Sequence, residues 1–204
     1  MTVSAMDMIA DWMKLMGVDK QIPTAYYIWK RANSAFLRGD LEEAKLYENM
    51  NHILHSSSIP ASVTIGDRVN FAYGGIGTII HKDCIIDAHA TIGSNVTLGG
   101  RGGSTVHYIT EDGRKRYVPR IGKHAYVSTG SKILGGVDVG PVSIIGANSV
   151  VLQHVEPLSI VTGSPAKVVN RITLKNYKRY SSTFSAFKAM TDHDVEAIIS
   201  CYEQ

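Results

Sequence analysis

A six-residue period is the feature of this sequence that most constrains its fold. Aliphatic anchor residues recur at intervals of six in two blocks: Ile80, Ile86, Ile92 and Leu98, and then Ile121, Val127, Ile133, Val139, Ile145 and Val151. A small or β-branched residue stands four positions after most anchors, and glycine often follows the anchor directly. Side chains repeat about every 3.6 residues in an α-helix and about every 2 in an ordinary strand, so neither element alone produces this period.

Short strands joined by corners do produce a period of six. Each hexad then supplies one strand whose anchor points inward, while a glycine or a polar residue turns the chain. Three hexads would close one triangular coil, and stacked coils would bury a continuous core. The sequence therefore predicts a mainly β fold, with a parallel β-helix over residues 56–170.

Helical segments are predicted on both sides of the coil. Residues 1–55 would form an N-terminal helical segment that covers one open end of the coil, because terminal units of solenoids need covering. Residues 171–204 would form a tail with a short helix after Thr191. Three N-terminal helices are expected: one with an apolar stripe of Ile9, Trp12, Met13 and Met16, one that opens at Pro23 and Thr24, and one that opens at Asp40 with Glu43 three residues later.

Composition excludes several classes of protein. With 44% apolar and 19% charged residues and a net charge of +3, the chain is typical neither of a disordered protein nor of a nucleic-acid-binding one. No apolar run reaches the roughly 18 residues of a membrane span, and the first twenty residues do not resemble a signal peptide, so we expect a cytoplasmic protein. Cys84 and Cys201 lie too far apart for a metal-ligand spacing, and no metal site is predicted.

The period is interrupted once, between Leu98 and Ile121, where the interval is 23 residues instead of six. This predicts a protruding loop over residues 99–120, with a hairpin tip near Asp112. The loop carries His107, and imidazole titrates near neutral pH, as a base that takes a hydroxyl proton must. A solvated hairpin without a function is the alternative.

Three stretches of the repeat, residues 92–100, 121–135 and 144–169, resemble the hexapeptide-repeat acyltransferases, and most of all their serine acetyltransferase-like branch. The resemblance implies a left-handed β-helix that transfers an acetyl group directly from acetyl-CoA to a hydroxyl with a histidine base. It also implies a homotrimer with sites between subunits. The loop around His107 is similar to that of sugar O-acetyltransferases in this superfamily, so His107 is the first candidate for the base.

The resemblance also implies where acetyl-CoA would bind. The pantetheine arm would lie between neighbouring coils and touch the backbone at small corner residues, where close approach is possible. An aromatic side chain would line the site, or else pack at a subunit contact, and a lysine would face the nucleotide phosphates. The candidate cofactor-binding residues are Tyr126, Thr129, Gly130, Gly146, Ala147 and Lys167.

The chain departs from the serine acetyltransferase pattern at the acceptor side. Val118 stands where those enzymes carry their histidine base, His89 falls on the position of its carboxylate partner, and Tyr73 and Gly74 replace an Asp-His pair. We therefore expect a sugar or a surface-polysaccharide precursor as the acceptor. Two alternatives stay open: a serine O-acetyltransferase with His89 as the base, and a non-catalytic scaffold. His89 and His124 share a hexad position and could stack.

Overall fold

The computed structural model describes residues 22–203 and, within the first 21 residues, only residues 10, 11 and 14. The first predicted helix, around Trp12 and Met13, thus lies largely outside the described residues. Three α-helices follow: α1 (Ala25–Leu37), α2 (Leu41–His55) and α3 (Asp192–Ser200). None of the described helices is long and apolar enough to cross a membrane.

The three helices begin where the sequence predicts. The side chain of Thr24 accepts a hydrogen bond from the backbone N–H of Tyr27 at 3.3 Å, and this starts α1. Asp40 accepts from the N–H of Glu43 at 2.9 Å and starts α2. A reciprocal capping box between Thr191 and Asp194 starts α3. Each cap satisfies an N–H group that the first helical turn leaves unpaired.

Short strands between the helices form the three faces of a triangular coil. Face one contains β1 (Thr64–Ile65), β4 (Ile85–Ile86), β9 (Arg120–Ile121) and β12 (Asp138–Val139). Face two contains β2 (Asn70–Phe71), β5 (Thr91–Ile92), β10 (Tyr126–Val127), β13 (Ile144–Ile145), β15 (Ser159–Gly163) and β16 (Ala166–Arg171). Face three contains β3 (Ile79–Ile80), β6 (Thr97–Gly99), β11 (Lys132–Leu134) and β14 (Val150–Val151). All neighbours within a face pair in parallel except β15 and β16, which pair antiparallel.

The hexad anchors form the interior of this coil, as predicted. All ten are at most 2% exposed, and the small residues that follow four positions later line the same core. One coil consumes three hexads, so residues 18 apart lie directly above one another. Arg120 pairs in register with Asp138, for example. Each coil covers its neighbour, which is how a solenoid buries a continuous core.

The corner between faces one and two is built from left-handed backbone. One residue per coil has a positive φ there, and the residues are Arg68, His89, His124, Val142 and Leu158. This conformation costs an L-residue roughly 1–2 kcal/mol. The corner is nevertheless repeated in five successive coils, because the neighbouring strands hold it in place.

Helices α1 and α2 cover one end of the coil. The tail, which includes α3, covers part of face two. Ala25 and Trp29 of α1 belong to the same buried cluster as Ile59 and Val63 of the first coil. The tail after residue 171 packs its apolar side chains on face two, and this second cluster comprises Val142, Ile144, Leu158, Ile160, Ile172, Tyr177, Phe184, Phe187, Val195 and Ile199.

The loop at 99–120 leaves the coil between faces three and one, as the interruption predicts. Its two strands, β7 (Tyr108–Ile109) and β8 (Lys115–Arg116), pair antiparallel around a turn in which the N–H of Gly113 donates to Thr110 O. The stem packs so closely on the coil that a side chain at Gly136 would overlap the loop backbone at Val106 and Arg116. The hairpin is therefore mounted firmly on the corner.

Candidate functional site

His107 lies in the stem of the hairpin, partly exposed, with its ring oriented by two neighbours. Its Nδ1 lies 2.9 Å from the carbonyl oxygen of Thr105, and its ring is 5.5 Å from that of Tyr117, centroid to centroid. A carbonyl only accepts hydrogen bonds, so Nδ1 must carry the proton in this contact. In the neutral ring Nε2 is then the unprotonated nitrogen, and this tautomer can accept a proton from a hydroxyl.

His89 lies at a different edge of the coil, the corner between faces one and two. Its ring stacks on that of His124, with a centroid distance of 4.9 Å and an angle of 12°, as the shared hexad position suggested. Desolvation and the nearby charges of Arg68 and Lys123 lower the pKa of His89. A neutral imidazole at neutral pH can also act as a base, but here no hydrogen bond fixes the tautomer.

The candidate cofactor-binding residues lie mostly along one edge, the corner between faces two and three. Thr129 and Gly130 turn one coil there, and Gly146 and Ala147 turn the next. The side chain of Thr162, in β15, packs against Gly146, and Thr162 pairs with Lys167 in β16. The exposed Lys167 is thereby brought to the same edge as the small corner residues.

The packing of neighbouring coils also requires glycine at positions 130 and 146 of this corner. A side chain at Gly130, which has a φ of +76°, would overlap the amide oxygen of Asn148, and one at Gly146 would overlap the side chain of Thr162. The absence of side chains at Gly130 and Gly146 lets neighbouring coils approach closely, because Asn148 and Thr162 fill the space beside these glycines. The small corner residues and the exposed Lys167 thus lie along one edge of the coil.

Tyr126 does not lie at this corner but points outward from face two. It packs against the apolar cluster of the tail. Together with Tyr73 and Gly74 it lines an open cavity of about 660 Å³, and tail residues such as Lys188 form another part of the wall. Tyr126 therefore shares a cavity with Tyr73 and Gly74, the two acceptor-side positions. The sequence alone did not predict that the tail contributes to this cavity.

His107 and the small-residue corner lie at opposite edges of face three. The hairpin stem meets the coil at Gly136, after β11, whereas Gly130 turns the chain before β11. A strand advances about 3.3 Å per residue, so the corners at Gly130 and Gly136, on either side of β11, are on the order of 15 Å apart. Within one chain, His107 and the candidate cofactor residues are therefore not brought together.

The structure also reveals a polar group on face one that sequence reasoning did not single out. Arg120 of β9 forms an ion pair with Asp87, with 2.9 Å between Arg120 Nη2 and Asp87 Oδ2, and Asp138 of β12 lies in register beside Arg120. The 18-residue spacing of Arg120 and Asp138, one full coil, was the signal that could have identified them as neighbours. Among the described residues, no three His, Cys, Asp or Glu side chains are grouped as a metal site requires.

Cys84 is a core residue and not a nucleophile. It is 1% exposed, and burial raises the pKa of its thiol to about 12. Because the thiolate is the reactive form, this thiol is inert at neutral pH.

Comparisons with known proteins agree with the repeat and the fold. No family model matches the chain. A serine acetyltransferase of Bacillus subtilis is 37% identical over 126 residues, which are 62% of this chain and 54% of that protein. The chain thus spans about half the length of the curated relatives it matches.

Solved structures give the same relationship. The serine acetyltransferase of Vibrio cholerae has a TM-score of 0.63 at 28% identity, and the match covers 73% of this chain and 54% of the other. The serine acetyltransferase of Brucella abortus in complex with coenzyme A has a TM-score of 0.64 at 25% identity, over 73% of this chain and 56% of the other. The hexad repeat, the three-faced coil and these similarities show a left-handed β-helix of hexapeptide repeats that is similar in sequence and structure to serine acetyltransferases.

Proposed function

We propose that the chain is an acetyl-CoA-dependent O-acetyltransferase. The observation that carries this proposal is the 37% identity to a serine acetyltransferase along the coil. The alignment of small corner residues at Gly130 and Gly146 with the exposed Lys167 along one edge supports this edge as the binding place for the pantetheine arm and the phosphates. The related structure in complex with coenzyme A supports the same choice of acyl donor.

His107 is the proposed general base. Its Nε2 would accept the proton of the acceptor hydroxyl while the hydroxyl oxygen attacks the thioester carbonyl of acetyl-CoA. The carbon–sulfur bond then breaks, so that the products are an acetyl ester and the free thiol of CoA. Backbone N–H groups suit the task of stabilising the negative oxygen of the intermediate. His89 remains the alternative base.

A complete site would need two copies of the chain. His107 and the corner at Gly130 occupy opposite edges of face three, and a neighbouring copy that docks edge to edge would bring one chain's His107 to the other chain's corner. We therefore propose a homo-oligomer, and a trimer satisfies the requirement with three equivalent sites. Its mass in solution, measured by light scattering, tests this.

Serine is the first acceptor to test, because the curated relatives are serine acetyltransferases. A sugar hydroxyl is the second, and a specific observation favours it. The three acceptor-side positions hold Tyr73, Gly74 and Val118, which have neither the charge nor the imidazole that the serine-type pattern places there. Tyr73 and Gly74 instead border the open cavity of about 660 Å³, which is large for a single free amino acid.

Release of the CoA thiol, followed with a chromogenic disulfide, separates these candidates. The purified protein would be mixed with acetyl-CoA and, in turn, with serine, neutral sugars and nucleotide-linked sugars. Release with serine alone discards the sugar acceptor, and release with a sugar alone discards serine. No release with any acceptor, together with no binding of CoA, would mean that the coil is a non-catalytic scaffold.

The role of His107 is tested with the same assay. His107→Ala is expected to lower kcat at least about 100-fold, which is the usual contribution of a general base. His193→Ala, at an exposed histidine of α3, is the matched control and is expected to keep full activity. Full activity of His107→Ala would remove this residue from the mechanism and transfer the role to His89.

A further inference from the structure

Face one carries a vertical column of polar side chains beside the hairpin. Arg120 of β9 pairs in register with Asp138 of β12, and the parallel bridge between Val139 and Val155 places His154 next to Asp138. Neighbouring parallel strands are about 4.8 Å apart. Three polar side chains from three successive coils therefore project from the same face at close, regular spacing.

The top of this column is held rigidly. Both Nε and Nη2 of Arg120 bind Oδ2 of Asp87, at 3.0 and 2.9 Å. The two side chains are 40% and 27% exposed, so one edge of the guanidinium and one oxygen of the carboxylate remain for other partners. The ion pair thus presents the N–H donors of Arg120 and a carboxylate acceptor of Asp87 side by side to a ligand.

Asp138 is the member of the column that lacks a partner. Its side chain is half-buried, and its carboxylate accepts no hydrogen bond from any of the described residues. Burial raises the pKa of the Asp138 carboxyl above its ordinary value, although Arg120 and His154 act in the opposite direction. The acceptor positions of this carboxylate are therefore free on the wall of the groove, where a bound donor can occupy them.

His154 presents a defined donor next to this carboxylate. The backbone N–H of Asp138 donates to His154 Nδ1 at 3.1 Å, so Nδ1 is the acceptor nitrogen of the ring. In the neutral imidazole the proton is then on Nε2, which is free to donate. Its position in the repeat did not predict a role for His154 in a site.

A buried tyrosine supplies an independent observation. Tyr108 of the hairpin is 7% exposed, and its hydroxyl has no hydrogen-bond partner among residues 22–203. The ring lines the groove that the hairpin forms with face one. Burial raises the pKa of the Tyr108 hydroxyl to about 12, and Tyr108 lines the same groove as Arg120, Asp138 and His154.

The groove has the size and charge of a binding site for a neutral ligand. It encloses about 480 Å³, within the range of roughly 300–1,000 Å³ that is typical of small-molecule sites. Asp87, Asp138 and Glu156 line it against a single guanidinium, that of Arg120. An anionic ligand is therefore disfavoured, and the carboxylate of an amino acid would have to displace Asp87 from Arg120.

We propose that this groove, between face one and the hairpin, binds a neutral saccharide. A sugar hydroxyl both donates and accepts, and it can donate to Asp138 while it accepts from His154 Nε2 or from the free edge of Arg120. The apolar parts of Tyr108 and Ile109 offer a wall for the C–H face of the ring. A polyamine could donate hydrogen bonds to the carboxylates, but it has no acceptor for the N–H groups of Arg120 and His154.

Saturation-transfer difference NMR without acetyl-CoA tests the proposal, so that its failure and the failure of the acetyl transfer are distinguishable. The probes are lactose, methyl β-D-glucopyranoside and N-acetylglucosamine, with glucose 6-phosphate, L-serine and putrescine as comparators. We expect transfer to the ring protons of at least one neutral saccharide. Asp138→Asn is expected to weaken binding at least about tenfold, because a hydrogen bond to a charged group is lost.

Asp83→Asn is the matched control, since Asp83 is an exposed carboxylate outside the groove, and it is expected to leave binding unchanged. Thermal unfolding of both variants, compared with the unmodified chain, shows that the fold is kept. The proposal is overturned if no neutral saccharide binds with a Kd below about 10 mM. It is also overturned if only the charged comparators bind, or if Asp138→Asn and Asp83→Asn bind equally well.

Discussion

The buried His124 makes the stability of this fold depend on pH. His124 is 3% exposed, and its ring lies between that of His89 at 4.9 Å and that of Phe187 at 5.5 Å. Its Nδ1 has no hydrogen-bond partner in the part of the chain that the structure describes. Burial, followed by the charges of His89 and Lys123, lowers the pKa of His124 to about 4. The folded chain therefore holds this imidazole in its neutral form at every pH near neutrality.

The direction and size of the effect follow from proton linkage. In the unfolded chain the pKa of a histidine is about 6.5, so between pH 6.5 and 4 the unfolded chain binds a proton that the folded chain does not. The stabilising contribution is full above pH 6.5 and is lost as the pH falls towards 4. Between pH 7.5 and 5.0 the linkage amounts to at most ~2 kcal/mol, and relaxation around the ring reduces this to about 1–2 kcal/mol.

The assay compares two pH values in two proteins. Asparagine at position 124 cannot titrate, and it tolerates the φ of +61° at this corner better than most residues. Urea unfolding at pH 7.5 and 5.0 gives the change in free energy of unfolding for the unmodified chain and for His124→Asn. We expect the unmodified chain to lose about 1–2 kcal/mol more than the variant, since all other titrating groups cancel in the comparison.

His52→Asn, at an exposed histidine of α2, serves as the control and should lose as much stability as the unmodified chain. A difference below about 0.5 kcal/mol between the unmodified chain and His124→Asn would refute the reasoning. It would mean that the protonated ring gains water or a hydrogen-bond acceptor at little cost, for example through a local movement of the tail around Phe187.

Three further outcomes are expected. Ile133→Ala removes a fully buried anchor and should lower the free energy of unfolding in urea by about 2–5 kcal/mol, because the rigid coil cannot close the cavity. A chromogenic disulfide at pH 8 should titrate the exposed Cys201 in the native chain, and Cys84 only after unfolding. Lys167→Ala should raise the KM for acetyl-CoA several-fold with little change in kcat, whereas Lys175→Ala should leave both unchanged.

The fold could be predicted from the sequence because a repeat makes contacts predictable from spacing. The anchors at Ile86 and Ile121, for example, belong to neighbouring strands of face one, and both are fully buried. The same reasoning predicted the stack of His89 on His124. The hand of the coil did not follow from the period, since a six-residue repeat of inward anchors is compatible with either hand.

The surroundings of the candidate site could be predicted only in part. The burial of Tyr126 and His124 depends on tail residues such as Phe187, which follow no period and are more than 60 residues away from them in sequence. The ion pair of Arg120 with Asp87 spans 33 residues, because the hairpin interrupts the coil between them. The 18-residue interval relates Arg120 to Asp138, but the hairpin follows no repeat, so the groove that it forms beside this polar column could not be predicted from spacing.

The antiparallel strand β16 has a consequence for how the protein behaves in a concentrated solution. A coil that ended on a parallel strand would offer its last backbone edge as a template for the first coil of another molecule, and end-to-end stacking could grow into a fibre. On face two the chain instead folds back on β15 and presents a strand that runs in the opposite direction. The exposed Lys167 and Arg171 at this edge add like charges that repel a second copy. Polymerisation along face two is thereby discouraged by the same short hairpin that completes the coil.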